Sequence, residues 1–198
     1  GEQNTQDEAF AQKKKKKNAG INFIDTAEMY PVPPKAETYA TTERYIGNWF
    51  KARGDRADWI LASKIAGPGN GIDYIRDGQL KHNRTHIVQA LDASLKRLQT
   101  DWIDLYQLHW PERSTNFFGQ LGYTHHADEQ FTPLEDTLEA LDEQVKAGKI
   151  RHIGLSNETP WATMKFLQLA ESRGWPRAAS TQNPYNLLNR SREVGPAE

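Results

Sequence analysis

The chain has 198 residues, enough for one substantial core, and its 25 Lys and Arg against 26 Asp and Glu leave a net charge of −1, so no global field draws it to nucleic acid or to an anionic membrane. It contains no cysteine, which excludes disulfides, thiolate metal ligands and thiol nucleophiles together. No apolar run approaches the roughly 20 residues of a membrane-spanning helix, and a soluble, cytoplasmic protein is the expectation.

Residues 1–20 open like a helix at Asp7, Glu8, Ala9, Phe10 and Ala11 and stop at Asn18-Ala19-Gly20, but Lys13 to Lys17 form an uninterrupted run. Five lysines cannot supply the apolar residue that a packed helix needs every three or four positions. A solvated helix is expected there, in preference to a nucleic-acid patch. Gly20 to Asp25 (Gly-Ile-Asn-Phe-Ile-Asp) reads as a short buried strand that stops at a carboxylate. Tyr30 follows, then the stiff loop Pro31-Val32-Pro33-Pro34.

From Thr41 to Gly54, Tyr45, Ile46, Trp49 and Phe50 recur at helical spacing, with Thr41 or Thr42 as the cap and Gly54 as the stop. Trp59 to Ser63 then forms a strand leading into Lys64. Gly67-Pro68-Gly69-Asn70-Gly71 lacks the Gly-Lys-Ser/Thr ending of a phosphate loop and reads as a flexible rim. Asn83 or Thr85 caps a helix through Gln99 with Ile87, Val88, Leu91, Leu95 and Leu98 inward, and Trp102 to Leu108 is a strand that ends at His109. His82 and His86 are four apart, but they lack the glutamate of a His-Glu-x-x-His pair and read as a surface helix start.

Residues 110–131, with Trp110, Phe117, Phe118, Tyr123, His125 and His126, make a connection long enough to be a lid or binding loop. Thr132-Pro133-Leu134-Glu135 resembles a capping box with proline at the first helical position, before a helix with Leu134, Leu138, Leu141 and Val145 inward and Gly148 as its stop. Ile150 to Leu155 is a strand ending in Ser156-Asn157. Thr159-Pro160 opens a helix with Trp161, Met164, Leu167 and Ala170 as its apolar face, and Ala178 to Thr181 leads to Gln182.

Five successive strands therefore end in a polar residue: Asp25, Lys64, His109, Asn157 and Gln182. In a (β/α)8 barrel the C-terminal strand ends converge on one face and build the site there. A doubly wound sheet would instead carry Gly-x-Gly-x-x-Gly after its first strand, which is absent. The spacing from Asp25 to Gln182 averages about 39 residues per unit, so eight units need roughly 300 residues, within the range of such barrels. The expectation is an α/β (β/α)8 TIM barrel with about five units present, residues 1–198 forming one incomplete domain.

A phenol beside an ammonium beside a carboxylate, as Tyr30, Lys64 and Asp25 stand in order, is a proton-donating group in which the cation lowers the cost of a phenolate. His109 on the next strand end can orient a substrate carbonyl or share in the transfer. These parts suit protonation of a carbonyl oxygen while a cofactor delivers hydride to its carbon, and Ser156, Asn157 and Gln182 suit the carboxamide of a nicotinamide. Taken singly, each residue has an ordinary explanation as a rim ion pair, a loop tyrosine or a turn group; the ordered set carries the inference.

Ile-Asn-Phe-Ile-Asp-Thr-Ala-Glu-Met-Tyr (21–30), Leu-Ala-Ser-Lys (61–64), Asp-Leu-Tyr-Gln-Leu-His (104–109), Gly-Lys-Ile-Arg-His-Ile-Gly-Leu-Ser-Asn (148–157) and Thr-Gln-Asn-Pro-Tyr-Asn-Leu-Leu-Asn-Arg (181–190) resemble consecutive signatures of the aldo-keto reductases. They look most similar to the bacterial Tas-like branch, whose Pro-Val-Pro-Pro loop after the tyrosine also appears at 31–34. The resemblance implies a catalytic tetrad of Asp25, Tyr30, Lys64 and His109 with Tyr30 as general acid, nicotinamide contacts from Ser156, Asn157 and Gln182, NADPH as cofactor, a small aldehyde or ketone as substrate, and no metal. By the same resemblance the five strands are strands 2 to 6 of the barrel, and a cofactor-binding regulatory module of the same fold is the alternative function.

Overall fold

A computed structural model of the chain describes residues 3–118 and 122–190; residues 119–121 of the long loop and 191–198 lie outside the described part. Five strands, β1 (Phe23–Asp25), β2 (Ile60–Ile65), β3 (Ile103–Leu108), β4 (Ile150–Ser156) and β5 (Ala178–Gln182), pair in chain order, and every pairing is parallel. Helices α1 (Gln6–Asn18), α2 (Thr41–Arg53), α3 (Arg84–Leu98), α4 (Leu134–Lys146) and α5 (Pro160–Arg173) alternate with them. A doubly wound sheet reverses its strand order at a switch point. The unbroken order here is that of a curled half-barrel, part of a (β/α)8 barrel.

The sheet and the helices close on one large core that includes Ile46, Trp49, Phe50, Leu61, Leu91, Leu98, Ile103, Tyr106, Leu141 and Phe166. A second cluster of Ala27, Met29, Ala66, Ile72, Ile75, Leu80 and Trp110 sits among the connections that follow β1, β2 and β3. Three buried ion networks join the layers. Glu43 of α2 accepts from Ser63 Oγ on β2 and from Arg97 Nε on α3, each at 2.6 Å. Asp104 of β3 accepts from Arg56 Nη2 at 2.7 Å, Arg151 Nη1 at 2.8 Å and the Leu61 amide at 3.0 Å. Glu28 takes Arg76 in a fork at 2.6 and 2.9 Å and the Ala66 amide at 2.7 Å. Removing one member of such a set leaves a buried charge unpaired, which costs more than the intact network contributes.

Several local expectations are corrected. β1 is not buried: Ile21 and Phe23 are half-exposed because β1 is the outer strand of the sheet among the described residues. α2 is entered through Ala40 in a left-handed conformation, and neither Thr41 nor Thr42 caps it. At α4 the capping box does not form; Pro133 holds the cap position while the Thr132 amide donates to Glu112 Oε1 at 2.9 Å. α5 is capped by Thr159 as expected, but its buried face is Ala162, Phe166 and Ala170, and Trp161 and Met164 lie exposed. The expected face is one or two residues out of step in the first turns and coincides with the buried one at Ala170.

α1 does form, with a complete capping box between Thr5 and Glu8. None of its residues is fully buried; Phe10 meets the edge of Trp49 at 5.3 Å between ring centroids, and Lys17 reaches Asp55 and Asp58 at 2.8 Å each. The lysine run is thus carried by capping and by two surface pairs rather than by an apolar stripe. Among the described residues no helix is long and apolar enough to cross a membrane.

Candidate active site

β1 ends at Asp25, and the parallel register sets Asp25 beside Ala62 and Lys64 beside Gln107. The Lys64 side chain rises from β2 inside the curl of the sheet and is 1% exposed. Its ammonium donates to Asp25 Oδ2 at 2.7 Å and to the Thr26 carbonyl at 2.9 Å. Burial pulls its pKa below the usual lysine range, and the Asp25 charge offsets part of that fall. Asp25 is gripped further by Gln107 Nε2 and by Gln182 Nε2, both at 3.3 Å.

Tyr30 comes into the same group from the loop after β1. Its ring lies 5.3 Å below the Lys64 ammonium, and it meets the His109 ring edge-on at 5.5 Å between centroids. The expected depression of the phenol pKa is not what this geometry produces. Burial, and after it the negative charge of Asp25, push the Tyr30 pKa above its usual value. Tyr30 is protonated at neutral pH, as a phenol at or above its usual pKa is.

His109 follows β3 and is held by its amide on the Ile65 carbonyl at 3.0 Å. Its ring tilts against Trp110 at 4.8 Å. Burial first, and the Lys64 charge second, lower its pKa to about 3, so the imidazole is neutral at physiological pH. Its Nδ1 is buried without a hydrogen-bond partner. Beneath it the glycine loop is not a flexible rim at its start: a Cβ on Gly67 would stand 2.7 Å from the Trp110 ring and from the Trp110 carbonyl oxygen, and Trp110 Nε1 donates to Pro68 O at 2.8 Å.

The three nicotinamide candidates lie on the adjoining strand ends. Ser156 closes β4 and Gln182 closes β5, paired in register. Asn157 follows in a left-handed conformation (φ +54°), its amide on the Gln182 carbonyl at 2.9 Å. Its side-chain nitrogen donates to the His109 carbonyl at 2.8 Å and to Ser156 Oγ at 3.1 Å. The structure thus joins all seven candidates: Gln182 reaches Asp25, and Asn157 reaches His109. A cavity of about 760 Å3 opens beside Asn157, walled by Phe117, Phe118, Tyr123, Phe131 and Trp161. Phe118 meets Trp110 at 5.5 Å, so this loop reaches back to the histidine.

Four participants were invisible in the sequence. Gln107 touches Asp25 only because β3 pairs with β2. Arg113 and Glu158, at 2.5 Å, bind the base of the long loop to the residue after Asn157. Glu112 joins the His82 amide at 2.6 Å to the Thr132 amide. His82 itself is buried rather than on a surface helix start, and burial lowers its pKa to about 4.

Fold and site together define a partial (β/α)8 barrel whose strand ends gather a carboxylate, a buried lysine, a tyrosine and a neutral histidine. The chain belongs to the aldo/keto reductase family, whose family model matches residues 1–196. It is 53% identical over 199 residues to Protein tas of Escherichia coli (strain K12), with all of this chain and 57% of that protein covered. It is 35% identical over 175 residues to the aldo-keto reductase YhdN of Bacillus subtilis, covering 88% of this chain and 42% of that one. Norsolorinic acid reductase B of Aspergillus parasiticus is 28% identical over 177 residues, covering 88% and 40%. The chain thus spans about half the length of these relatives.

Proposed function

We propose that this chain carries the proton-transfer group and the nicotinamide seat of an oxidoreductase that reduces small aldehydes or ketones with NADPH. The observation that supports this reading most is the buried Lys64 ammonium, held by Asp25 at 2.7 Å and placed over the ring of Tyr30. The donor set of the neighbouring strand ends fits a nicotinamide. Ser156 brings a hydroxyl, Asn157 and Gln182 bring amides whose nitrogens already donate to His109 and Asp25 and whose oxygens are left to accept, and the adjacent Asn183 Nδ2 is buried without a hydrogen-bond partner. That chemistry matches the donor and acceptor of a carboxamide. The preference for NADPH follows the family resemblance. When bound, the nicotinamide supplies hydride to the carbonyl carbon.

The protein's own work is to receive the negative charge that builds on the carbonyl oxygen. Tyr30 gives its proton to that oxygen; the Lys64 cation stabilises the phenolate left behind, and Asp25 keeps the ammonium in place. Neutral His109 orients the carbonyl by a hydrogen bond without competing as an acid. Titrating NADPH by its fluorescence into the complete protein, then adding a generic aldehyde, tests the reading. Oxidation of the bound nucleotide supports the reductase; binding without turnover supports a regulatory module.

A further inference from the structure

Asn157 is a non-glycine residue in the left-handed region, and such a residue persists where its surroundings fix it. Two of its anchors are plain: its amide on the Gln182 carbonyl and its side chain on the His109 carbonyl. A third lies one residue on. Glu158 accepts Arg113 in a fork, Nη1 to Oε2 at 3.1 Å and Nη2 to Oε1 at 2.5 Å, and each residue is only 9% exposed. Arg113 Nη2 also donates to Thr159 Oγ1 at 3.0 Å, and the Thr159 amide donates to Glu158 Oε1 at 2.7 Å. Trp161 covers the guanidinium, its ring centroid 5.4 Å away. The strap joins the residue four after His109 to the residue just after Asn157, so the ends of β3 and β4 are tied on both flanks of Asn157.

A buried ion pair contributes little net stability against an apolar replacement of the same shape, whereas it specifies one geometry. The fork constrains orientation as well as distance. We propose that Arg113, through Glu158, is a positioning residue for Asn157 and so sets how tightly the nicotinamide end of the cofactor is held. The inference rests on the reductase reading of Asn157. Arg113 has no part in proton transfer.

The test compares wild type, Arg113→Met, Arg113→Lys and Glu158→Gln in the complete protein, reading the NADPH Kd by fluorescence and the exchange rate of the Asn157 amide hydrogen without nucleotide. Arg113→Met is expected to raise Kd about tenfold, the scale of one lost buried hydrogen-bonding partner, and to speed Asn157 exchange. Arg113→Lys keeps the charge but cannot form the fork or lie flat on Trp161, so its Kd is expected to stay about fivefold above wild type. Full recovery by lysine would show that charge alone, and not the orientation of the fork, is what Asn157 needs and would overturn the positioning role. If Arg113→Met does not fold, Glu158→Gln, which keeps the side-chain shape and an oxygen for the Thr159 amide, carries the same comparison. A variant that binds NADPH like wild type while melting earlier overturns the positioning role and leaves the reductase reading standing. A wild type that does not bind NADPH removes both.

Discussion

Lys64 Nζ lies 2.7 Å from Asp25 Oδ2 with the lysine side chain 1% exposed and the aspartate 31% exposed. The cation is desolvated almost completely while its partner keeps contact with water, so the pair is asymmetric: the aspartate can lose the lysine cheaply, but the lysine cannot lose the aspartate. Asp25→Ala is expected to cost about 2 kcal/mol at pH 7 by urea unfolding. The loss shrinks as pH rises toward 10. Lys64 has a lowered folded pKa, so the unfolded chain holds that proton longer and stability rises as the folded lysine becomes neutral. An equal loss at pH 7 and pH 9.5 would show that Asp25 does not serve as the counter-charge.

Tyr30→Phe keeps the ring against His109 and removes only the proton. In the complete protein kcat should fall by roughly 10² to 10⁴ with the NADPH Kd unchanged. Turnover at the wild-type rate would take Tyr30 out of the mechanism.

The buried histidines predict acid sensitivity. His109 and His82 have pKa values lowered to about 3 and about 4, against about 6.5 in the unfolded chain. Between those limits the unfolded state binds the proton and the folded state does not. Stability is therefore complete above about pH 6.5 and is lost as pH falls toward 4, by up to about 1.4 kcal/mol per pH unit for each histidine. His109→Asn should flatten this slope in a series of denaturant curves between pH 4 and pH 7; an unaltered slope would assign it elsewhere.

Gly67→Ala would place a Cβ 2.7 Å from both the Trp110 ring and its carbonyl oxygen. The backbone of the residue after His109 cannot yield as a side-chain tip would. A loss of about 1–3 kcal/mol is expected, with a shift of Trp fluorescence as the indole moves off Pro68. A neutral result would mean that the loop after β2 relaxes freely.

The alternation of strands and helices was legible because burial imposes period 2 and period 3.6 on apolar residues, and α3 shows it well: Asn83 caps it and Ile87, Leu91 and Leu98 face the core. The pattern misled where partners lie far away in sequence. Trp161 and Met164 look like a core face, yet Ala162 and Phe166 are the buried residues, Phe166 within the main core, and Trp161 instead covers Arg113. Thr132 has the spacing of a cap but gives its amide to Glu112, twenty residues away.

At the site, the sequence by itself determined the strand ends that carry Asp25, Lys64, His109, Asn157 and Gln182, because a parallel βα repeat delivers each such residue to one rim. It also showed that Tyr30 follows closely enough to join them. Only the tertiary structure decided the electrostatics. That Lys64 turns to Asp25 and Thr26, that burial and the Asp25 charge raise the Tyr30 pKa, that His109 is neutral, that Gln107 touches Asp25 and that Arg113 pairs with Glu158 all depend on which strands are neighbours and how far water is excluded. Desolvation and through-space charge act over a few ångströms, and the hydrogen bonds that hold Lys64 and Asp25 join residues 38 to 157 positions apart in the chain, a proximity that no local pattern of residues encodes.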